Sequence, residues 1–180
     1  MPTTPQKKIL FVSGSPREGN TEYVLTQLKK GLGGELICLR ELHLKPCAGC
    51  LECHHKAMCA MRHDGANAVM EKVRRSDLLV IGTPNYFDNV PGIMKDFIDR
   101  MNPLYSDKTY KGKDVIFVFI GGGNPEGTKA RMMESMRGAI KCLKLNVVGV
   151  FAAKGLHSRD VVGNTALLGE ISEAIKNMLK

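Results

Sequence analysis

The chain is 180 residues long, enough for one domain with a full hydrophobic core and short of two typical ones. It is 43% hydrophobic and 24% charged, which is ordinary for a soluble globular protein, and no apolar run approaches the length of a membrane span. The net charge of +8 favours anionic partners, but no basic run alternates with aromatic residues, so neither nucleic acid nor a membrane is expected as a partner. The first eight residues are polar and contain no apolar signal core, which predicts a cytoplasmic location.

Short apolar runs alternate along the chain with segments of helical periodicity. The runs predict strands at residues 8–12, 35–39, 78–82, 114–120 and 146–152. The spacing of apolar residues predicts helices at residues 21–32, 66–75, 92–101, 128–143 and 164–179. Near-continuous apolar strands separated by helices indicate a parallel sheet covered on both faces. Five such strands favour an α/β three-layer sandwich of the flavodoxin-like type, with strand order 2-1-3-4-5 and a ligand crevice at the carboxyl ends of strands one and three.

The segment at about 43–64 interrupts this alternation. It is long, rich in cysteine and poor in periodicity, and we interpret it as a loop with a role of its own. Residues 1–180 are therefore predicted to form a single domain with this loop inserted.

The turn after the first strand has the composition of a phosphate site. A strand that ends in a hydroxyl-rich turn and opens a helix presents unpaired backbone N–H groups and the positive end of the helix dipole. Hydroxyl, amide and guanidinium donors are supplied by Ser13, Ser15, Thr21, Asn20 and Arg17. The turn lacks the Gly-Lys-Ser/Thr ending of nucleotide triphosphatases and the Gly-x-Gly-x-x-Gly spacing of dinucleotide folds. The alternative is an ordinary strand-to-helix turn.

Two further loops open on the same edge in the predicted strand order. The loop after strand three offers Pro84, Asn85, Tyr86 and Phe87, and the loop after strand four offers Gly121, Gly122 and Gly123. A ligand with a phosphate at one end and a flat, partly polar ring at the other suits all three loops, and FMN has that shape. An aromatic side chain would stack on or flank the ring, unless both aromatics fold inward and cap the core.

The motifs, in this order along the chain, resemble those of the NADPH-dependent FMN reductase family. They are GSPREGNT at 14–21, TPNYF at 83–87 and KDFIDR at 95–100. The resemblance implies that the FMN phosphate is held by Ser13, Ser15, Arg17, Asn20 and Thr21, and that the isoalloxazine is lined by Pro84, Asn85, Tyr86 and Phe87. It also implies that the 95–100 stretch forms a helix and a subunit contact, in a homodimer or homotetramer with the flavin near the interface.

Four of the six cysteines lie within thirteen positions, and they are Cys47, Cys50, Cys53 and Cys59. In a cytoplasmic chain such clustering indicates metal or redox chemistry rather than a disulfide scaffold. The two-residue spacings let successive thiolates converge on one small centre. Cys38 and Cys142 lie in apolar segments and are predicted to be buried small hydrophobes.

The cysteine block makes the chain resemble, more particularly, the iron–sulfur flavoproteins. Its spacing is similar to the ferredoxin run with a longer final gap, and the resemblance implies one [4Fe–4S] cluster held by the four thiolates. Zinc is the alternative metal because His54, His55 and His63 lie nearby, although zinc sites usually pair two separated Cys-x2-Cys knuckles. Four metal-free thiols are the third reading. Such relatives often carry two acidic residues after the last cysteine, where this chain has His63 and Asp64.

Together these patterns predict an FMN-dependent oxidoreductase that passes electrons between a reduced donor, ferredoxin or NAD(P)H, and a small acceptor. FMN supplies the chemistry, so no residue is predicted as a catalytic acid or base. The positive charge suits an acidic ferredoxin and the extra phosphate of NADPH equally well. One alternative is an NAD(P)H-dependent FMN or quinone reductase without a metal cluster. Another, of a different class, is a non-catalytic binding module stiffened by a zinc-bound cysteine loop.

Overall fold

Strands and helices alternate along the chain in the computed structural model, which describes residues 7–180. The strands are β1 (Ile9–Ser13), β2 (Glu35–Cys38), β3 (Leu78–Pro84), β4 (Lys113–Gly121) and β5 (Leu145–Lys154). The α-helices are α1 (Asn20–Leu32), α2 (Cys53–Lys56), α3 (Ala66–Arg75), α4 (Gly92–Arg100), α5 (Asn102–Ser106), α6 (Pro125–Cys142) and α7 (Thr165–Leu179). The polar residues 1–6, on which the expected location partly depends, lie outside the described residues.

All five strands belong to one parallel sheet in the order β2-β1-β3-β4-β5, which confirms the predicted flavodoxin-like order. Leu10 and Val12 of β1 pack on the side covered by α3, α4 and α6, whereas Ile9 and Phe11 pack on the side covered by α1 and α7. Because both sides are apolar, the sheet has helices on both faces, and burial of each large side chain contributes about 1.5–3 kcal/mol. No helix within residues 7–180 is long and apolar enough to cross a membrane.

Gly82 of β3 allows α1 to lie close against the sheet. An ideal Cβ at this position would stand 2.9 Å from Thr21 Cγ2 and 2.9 Å from Leu25 Cδ1, closer than such atoms approach in folded proteins. The missing side chain therefore seats the first two turns of α1 directly over β3. This contact fixes where the helix begins relative to the end of the strand.

Two helix ends differ from the predicted ones for local reasons. Helix α6 begins three residues earlier, because Asn124 caps it by accepting hydrogen bonds from the backbone N–H groups of Glu126 at 3.0 Å and Gly127 at 3.2 Å. Helix α4 ends at Arg100, and the separate short helix α5 follows it with Pro103 in its first turn. Within the cysteine-rich segment 43–64 the only regular element is the four-residue helix α2.

Candidate functional site

The loops that follow β1, β3 and β4 meet at one end of the sheet around a cavity of about 140 Å³, here named the strand-end cavity. Nine of the predicted cofactor-binding residues line it, and they are Ser15, Arg17, Asn20, Thr21, Pro84, Asn85, Tyr86, Gly121 and Gly122. They meet because β1, β3 and β4 are parallel neighbours, so that their carboxyl ends share one edge of the sheet.

The N-terminus of α1 opens onto the strand-end cavity. The helix begins after Gly19, and no side chain within the described residues caps it, so its first backbone N–H groups are available to a ligand. Arg17 adds an exposed guanidinium at the same rim. The Ser15 hydroxyl donates to the carbonyl oxygen of Arg17 at 2.7 Å, which holds the turn in shape. Free N–H groups, the positive helix end and a nearby cation together suit a phosphate group.

Three buried polar atoms at the strand ends have no hydrogen-bond partner within residues 7–180, and they are Ser13 Oγ, Asn20 Oδ1 and Asn85 Oδ1. A buried polar group without a partner costs about 1–3 kcal/mol, so three at one edge indicate atoms kept for a ligand. The Asn20 amide is oriented from its other end, because Nδ2 donates to the carbonyl oxygen of His157 at 2.8 Å. Ser13 is fully buried at the end of β1 and does not itself line the cavity.

The loop after β3 is fixed at its first residue, Asn85, and at Asp88 in its middle. The backbone N–H of Asn85 donates to the carbonyl oxygen of Ile120 at 2.7 Å, and the Asn85 side chain donates to Asp88 at 3.3 Å. Asp88 in turn pairs with Arg131 of α6 at 2.7 Å. Hydrogen bonds from Arg131 and then from Asn85 hold the pKa of Asp88 below its usual range. The Asn85 side chain is therefore anchored where it borders the cavity.

Phe87 and Gly123 are two predicted site residues that lie outside the cavity lining. Phe87 is fully exposed to solvent, with a φ of 54° in the left-handed region, and Tyr86 is the aromatic residue of this loop that lines the cavity. The contact of Phe87 and Gly123 with a cofactor stays a prediction.

The loop after β5 supplies two lining residues that sequence reasoning did not select, Gly155 and Leu156. The backbone N–H of Gly155 donates to the carbonyl oxygen of Gly121 at 2.8 Å, which brings this loop beside the loop after β4. An ideal Cβ at Gly155 would stand 2.7 Å from Asn20 Nδ2, so any larger residue here would displace the Asn20 side chain. The available signal was a glycine directly after a strand that neighbours β4.

The four clustered cysteines line a second, smaller cavity of about 20 Å³, here named the four-cysteine cavity. Cys53 and Cys59 are buried, whereas Cys47 and Cys50 are exposed. Within residues 7–180 no three His, Cys, Asp or Glu side chains converge tightly enough to hold a single metal ion. The predicted thiol block is therefore assembled around one cavity, with two of its members still open to solvent.

Cys53 lies close enough to the other three thiols to be affected by them electrostatically. Burial, followed by the neighbouring Cys59, Cys47 and Cys50, raises the pKa of the Cys53 thiol, although a backbone hydrogen bond acts in the opposite direction. Bringing several thiolates together without a cation is unfavourable, so this donor set suits a metal centre that carries positive charge and prefers sulfur ligands.

A fully buried ion pair joins α4 to the cysteine-rich segment. Arg100, with 1% of its side chain exposed, bonds Asp64 from both terminal nitrogens at 2.6 and 3.0 Å. It also donates to the carbonyl oxygens of Lys45 at 2.8 Å and Met61 at 3.1 Å. Burial alone would raise the pKa of Asp64, but hydrogen bonds from Arg100 and two backbone N–H groups hold it below its usual range. The resemblance implied a subunit contact for the stretch 95–100. Arg100, the last residue of that stretch, is instead buried within the subunit, where it pairs with Asp64.

The remaining two cysteines differ in environment. Cys38 is buried as predicted, and burial together with the neighbouring Glu22 raises its pKa to about 11. Cys142 was predicted to be buried, and this prediction is wrong, since Cys142 is exposed. The reason is that Cys142 is the last residue of α6 and the next residue, Leu143, is the one that enters the core. Cys142 and Cys47 both line a larger cavity of about 650 Å³ beside α4 and α6.

Comparison with known proteins places the chain in a family. The sequence model of the family described as "NADPH-dependent FMN reductase" matches residues 7–155 of this chain. An iron-sulfur flavoprotein of Archaeoglobus fulgidus is 42% identical over 98 residues, which are 52% of this chain and 48% of that protein. An iron-sulfur flavoprotein of Methanocaldococcus jannaschii is 33% identical over 103 residues, which are 54% of this chain and 53% of that protein. The aligned part of the chain thus spans about half the length of these relatives.

Solved structures share the fold. The Trp repressor binding protein from Bacillus subtilis superposes with a TM-score of 0.69 at 19% identity, over 93% of this chain and 97% of that one. The NAD(P)H:quinone oxidoreductase from Methanothermobacter marburgensis superposes with a TM-score of 0.68 at 18% identity, over 96% and 97%. The family match confirms the predicted resemblance to the FMN reductases. The chain belongs to the NADPH-dependent FMN reductase family, and its iron-sulfur flavoprotein relatives confirm the more particular resemblance.

Asp64→Asn is expected to lower the free energy of unfolding by about 3–5 kcal/mol at neutral pH, because it leaves the Arg100 charge buried without a counter-charge. The pKa of Asp64 is lowered by folding, so its contribution is complete above the ordinary value of 3.8 and disappears as pH falls through the lower folded-state pKa. Urea denaturation at several pH values measures the difference in unfolding free energy between the wild-type and Asp64→Asn proteins. This difference is expected to become smaller as the pH falls.

Asp99→Asn is the matched control, since it removes an exposed carboxylate that pairs with Lys95 four residues away. Its effect is expected to stay within about 0.5 kcal/mol. Equal stability of the Asp64→Asn and Asp99→Asn proteins at neutral pH would contradict a structural role for the buried pair.

Proposed function

We propose that this chain is an FMN-dependent oxidoreductase of the iron–sulfur flavoprotein type, formed as one FMN-binding domain with residues 43–64 inserted as a cysteine loop. It passes electrons between a reduced donor and a small acceptor. The observation that carries the proposal is the strand-end cavity, which is lined by an uncapped helix N-terminus, by Arg17 and by two residues with an unpaired buried polar atom, Asn20 and Asn85.

The residues around the strand-end cavity bind and orient the cofactor in this proposal. When bound, FMN supplies the redox chemistry by taking two electrons as a hydride and releasing them singly or in pairs. Its phosphate is held by the N–H groups of α1 and by the side chains of Ser13, Ser15, Arg17, Asn20 and Thr21. The ring is bordered by the loop after β3, through Pro84, Asn85, Tyr86 and Phe87, and by the glycines of the loop after β4.

Ser15→Glu is expected to abolish FMN retention, because it introduces a carboxylate where the phosphate is to be held, in a side chain that is buried at the cavity. Flavin per chain after purification, and titration with added FMN followed by fluorescence, measure the loss. Ser172→Glu, which adds the same charge on α7, is the control and keeps its flavin. Stoichiometric flavin in the Ser15→Glu protein would contradict the proposed phosphate site.

We further propose that Cys47, Cys50, Cys53 and Cys59 hold one [4Fe–4S] cluster. Support comes from their shared cavity, from the electrostatic effect of the other three thiols on Cys53 and from the names of two relatives of this chain. Such a cluster supplies one-electron transfer when bound. The four cysteines provide its ligands, and the buried pair of Asp64 and Arg100 holds the segment that carries them.

Anaerobic purification of the wild-type protein is expected to give iron and sulfide together with FMN. Cys53→Ser is expected to remove most of the iron and to leave FMN bound, because the strand-end cavity has a lining separate from the four-cysteine cavity. Cys142→Ser, at the exposed end of α6, keeps both cofactors. Flavin without iron in the wild-type protein would refute the cluster. One zinc per chain without flavin would favour the zinc-bound binding module. Loss of both cofactors from the Cys53→Ser protein would show that the loop is needed for folding.

The second candidate is an NAD(P)H-dependent FMN or quinone reductase without a cluster. It is favoured by the exposure of Cys47 and Cys50 and by the lack, within residues 7–180, of three side chains converging on one metal position. The strand-end cavity and its proposed FMN contacts are the same in both candidates.

An acidic ferredoxin is the donor that we propose, docking at the cysteine loop. Lys45 and Arg62 flank the cysteines, both are exposed, and neither side chain forms an ion pair within the described residues. We therefore expect flavin reduction by ferredoxin to slow by about tenfold or more between low and physiological salt, as electrostatic steering is screened. Anaerobic stopped-flow absorbance measures it. Fast, salt-independent reduction by NADPH, with no response to reduced ferredoxin, would favour the second candidate instead.

A homodimer or homotetramer is also proposed, as the resemblance implies. Large apolar side chains that are exposed at or beside the two cavities support an assembly, and they are Leu51, Tyr86 and Phe87. Light scattering coupled to size-exclusion chromatography measures the number of subunits.

A further inference from the structure

The junction between α4 and α5 borders the four-cysteine cavity with two hydrogen-bond donors, Arg100 and Asn102. We propose that both are positioning residues for the cysteine block, and that Arg100 Nε and Asn102 Nδ2 donate N–H···S hydrogen bonds to the sulfurs of the centre held there. The inference rests on the proposed cluster. It goes beyond that proposal because it names two groups, other than the four thiolate ligands, that affect the reduction potential of the centre and how firmly the centre is held.

Asn102 already makes such a contact. Its Nδ2 donates to Cys53 Sγ at 3.4 Å, a distance within the range of hydrogen bonds to sulfur. Cys53 has only 8% of its surface exposed, so the bond is shielded from water and gains strength from its surroundings. Asn102 is the first residue of α5, where the backbone N–H of Leu104 donates to the carbonyl oxygen of Met101 at 2.8 Å and holds the turn.

Arg100 has one donor without a partner. Its two terminal nitrogens are satisfied by Asp64 and by two backbone carbonyl oxygens, whereas its buried Nε has no acceptor within residues 7–180. A buried guanidinium N–H left without an acceptor is costly, and this one belongs to a residue that lines the four-cysteine cavity beside Cys59. An acceptor inside the cavity, such as a sulfur, would remove that cost.

The same guanidinium ties together both ends of the segment that carries the thiols. Lys45, whose carbonyl oxygen it binds, stands two residues before Cys47, and Met61, whose carbonyl oxygen it also binds, stands two residues after Cys59. The segment is thus closed by contacts from α4 that involve no cysteine.

Asn67 of α3 fixes the last cysteine of the block independently. Its Oδ1 accepts from the backbone N–H of Cys59 at 3.0 Å, and its Nδ2 donates to the carbonyl oxygen of Cys59 at 3.0 Å. Cys59 is therefore held by its backbone, with the Arg100 guanidinium beside its side chain.

Donors and a positive charge placed beside sulfur have a defined effect on an iron–sulfur centre. They favour its more negative, reduced form, and so they raise its reduction potential. They also orient the ligands, and loss of such a group typically weakens metal binding by about 10–100-fold. A residue with a purely structural role in the loop would leave the potential of the bound centre unchanged.

Asn102→Leu is the decisive variant, because it keeps the size of a half-buried side chain and replaces the amide, whose Nδ2 donates to Cys53, by an apolar group. In the anaerobically purified protein with FMN and iron, we expect chelator-driven iron release to become about tenfold faster or more. We also expect the midpoint potential of the iron–sulfur centre to become more negative, measured by redox titration with electron paramagnetic resonance. Flavin content and thermal midpoint should stay at the wild-type values.

Arg100→Lys keeps the positive charge and removes Nε, and it should shift both measurements in the same direction. Should that variant fail to fold, the Asn102→Leu result decides alone. Asn146→Leu is the control, because Asn146 donates a comparable amide hydrogen bond to Asp114 at 2.7 Å on the exposed start of β5.

An Asn102→Leu protein with wild-type iron release and wild-type midpoint potential would overturn the inference and leave the proposed cluster intact. A wild-type protein that takes up no iron after anaerobic reconstitution with iron and sulfide would overturn the cluster and, with it, this inference. The expected pair of shifts, absent from the Asn146→Leu control, would support it.

Discussion

Three backbone hydrogen bonds beyond the strand ends hold the candidate site together. The N–H of Gly14 donates to the carbonyl oxygen of Gly82 at 2.8 Å, that of Asn85 to Ile120 at 2.7 Å, and that of Gly155 to Gly121 at 2.8 Å. Each links the loop after one strand to the neighbouring strand, and together they extend the parallel ladder into the loops. The shape of the strand-end cavity is thus determined by the backbone of the sheet and its loops. The side chains supply the hydrogen-bonding and charged groups around it.

Sequence reasoning could reach this edge of the sheet because its two determinants are local. Apolar runs such as 114–120 are typical of buried parallel strands, and the turn at 13–21 has the composition of an anion site, so the fold and the candidate phosphate site can both be predicted from neighbouring residues. The position of Phe87 does not, because it depends on how Asp88 is anchored to a distant helix. Gly155 was missed for the same reason, since its role is apparent only once the loop after β5 lies beside Asn20 of α1.

The cysteine block shows the same limit more clearly. Its spacing predicts a shared centre, and the four thiols do line one cavity. The groups that contact the block come from α3, α4 and α5, which follow it in the sequence. The hydrogen bonds between Arg100 and Asp64 could not be predicted, because a contact between two distant residues produces no periodic pattern in the sequence. Asp64 follows the last cysteine of the block by five residues, and its carboxylate neutralises a buried guanidinium.

Helix α4 links the two cavities mechanically. Met94, near its start, lies so close to the turn after β1 that a Cβ on Gly14 would stand 2.7 Å from Met94 Cε, and Arg100, at its end, lines the four-cysteine cavity. Arg100 stands six positions after Met94, about 9 Å along the helix axis. Both ends are buried, and the helix packs against the sheet between them. The spacing of the two sites is therefore set by one rigid element, so a change confined to the cysteine loop can alter the sulfur site without moving the turn proposed to hold the phosphate.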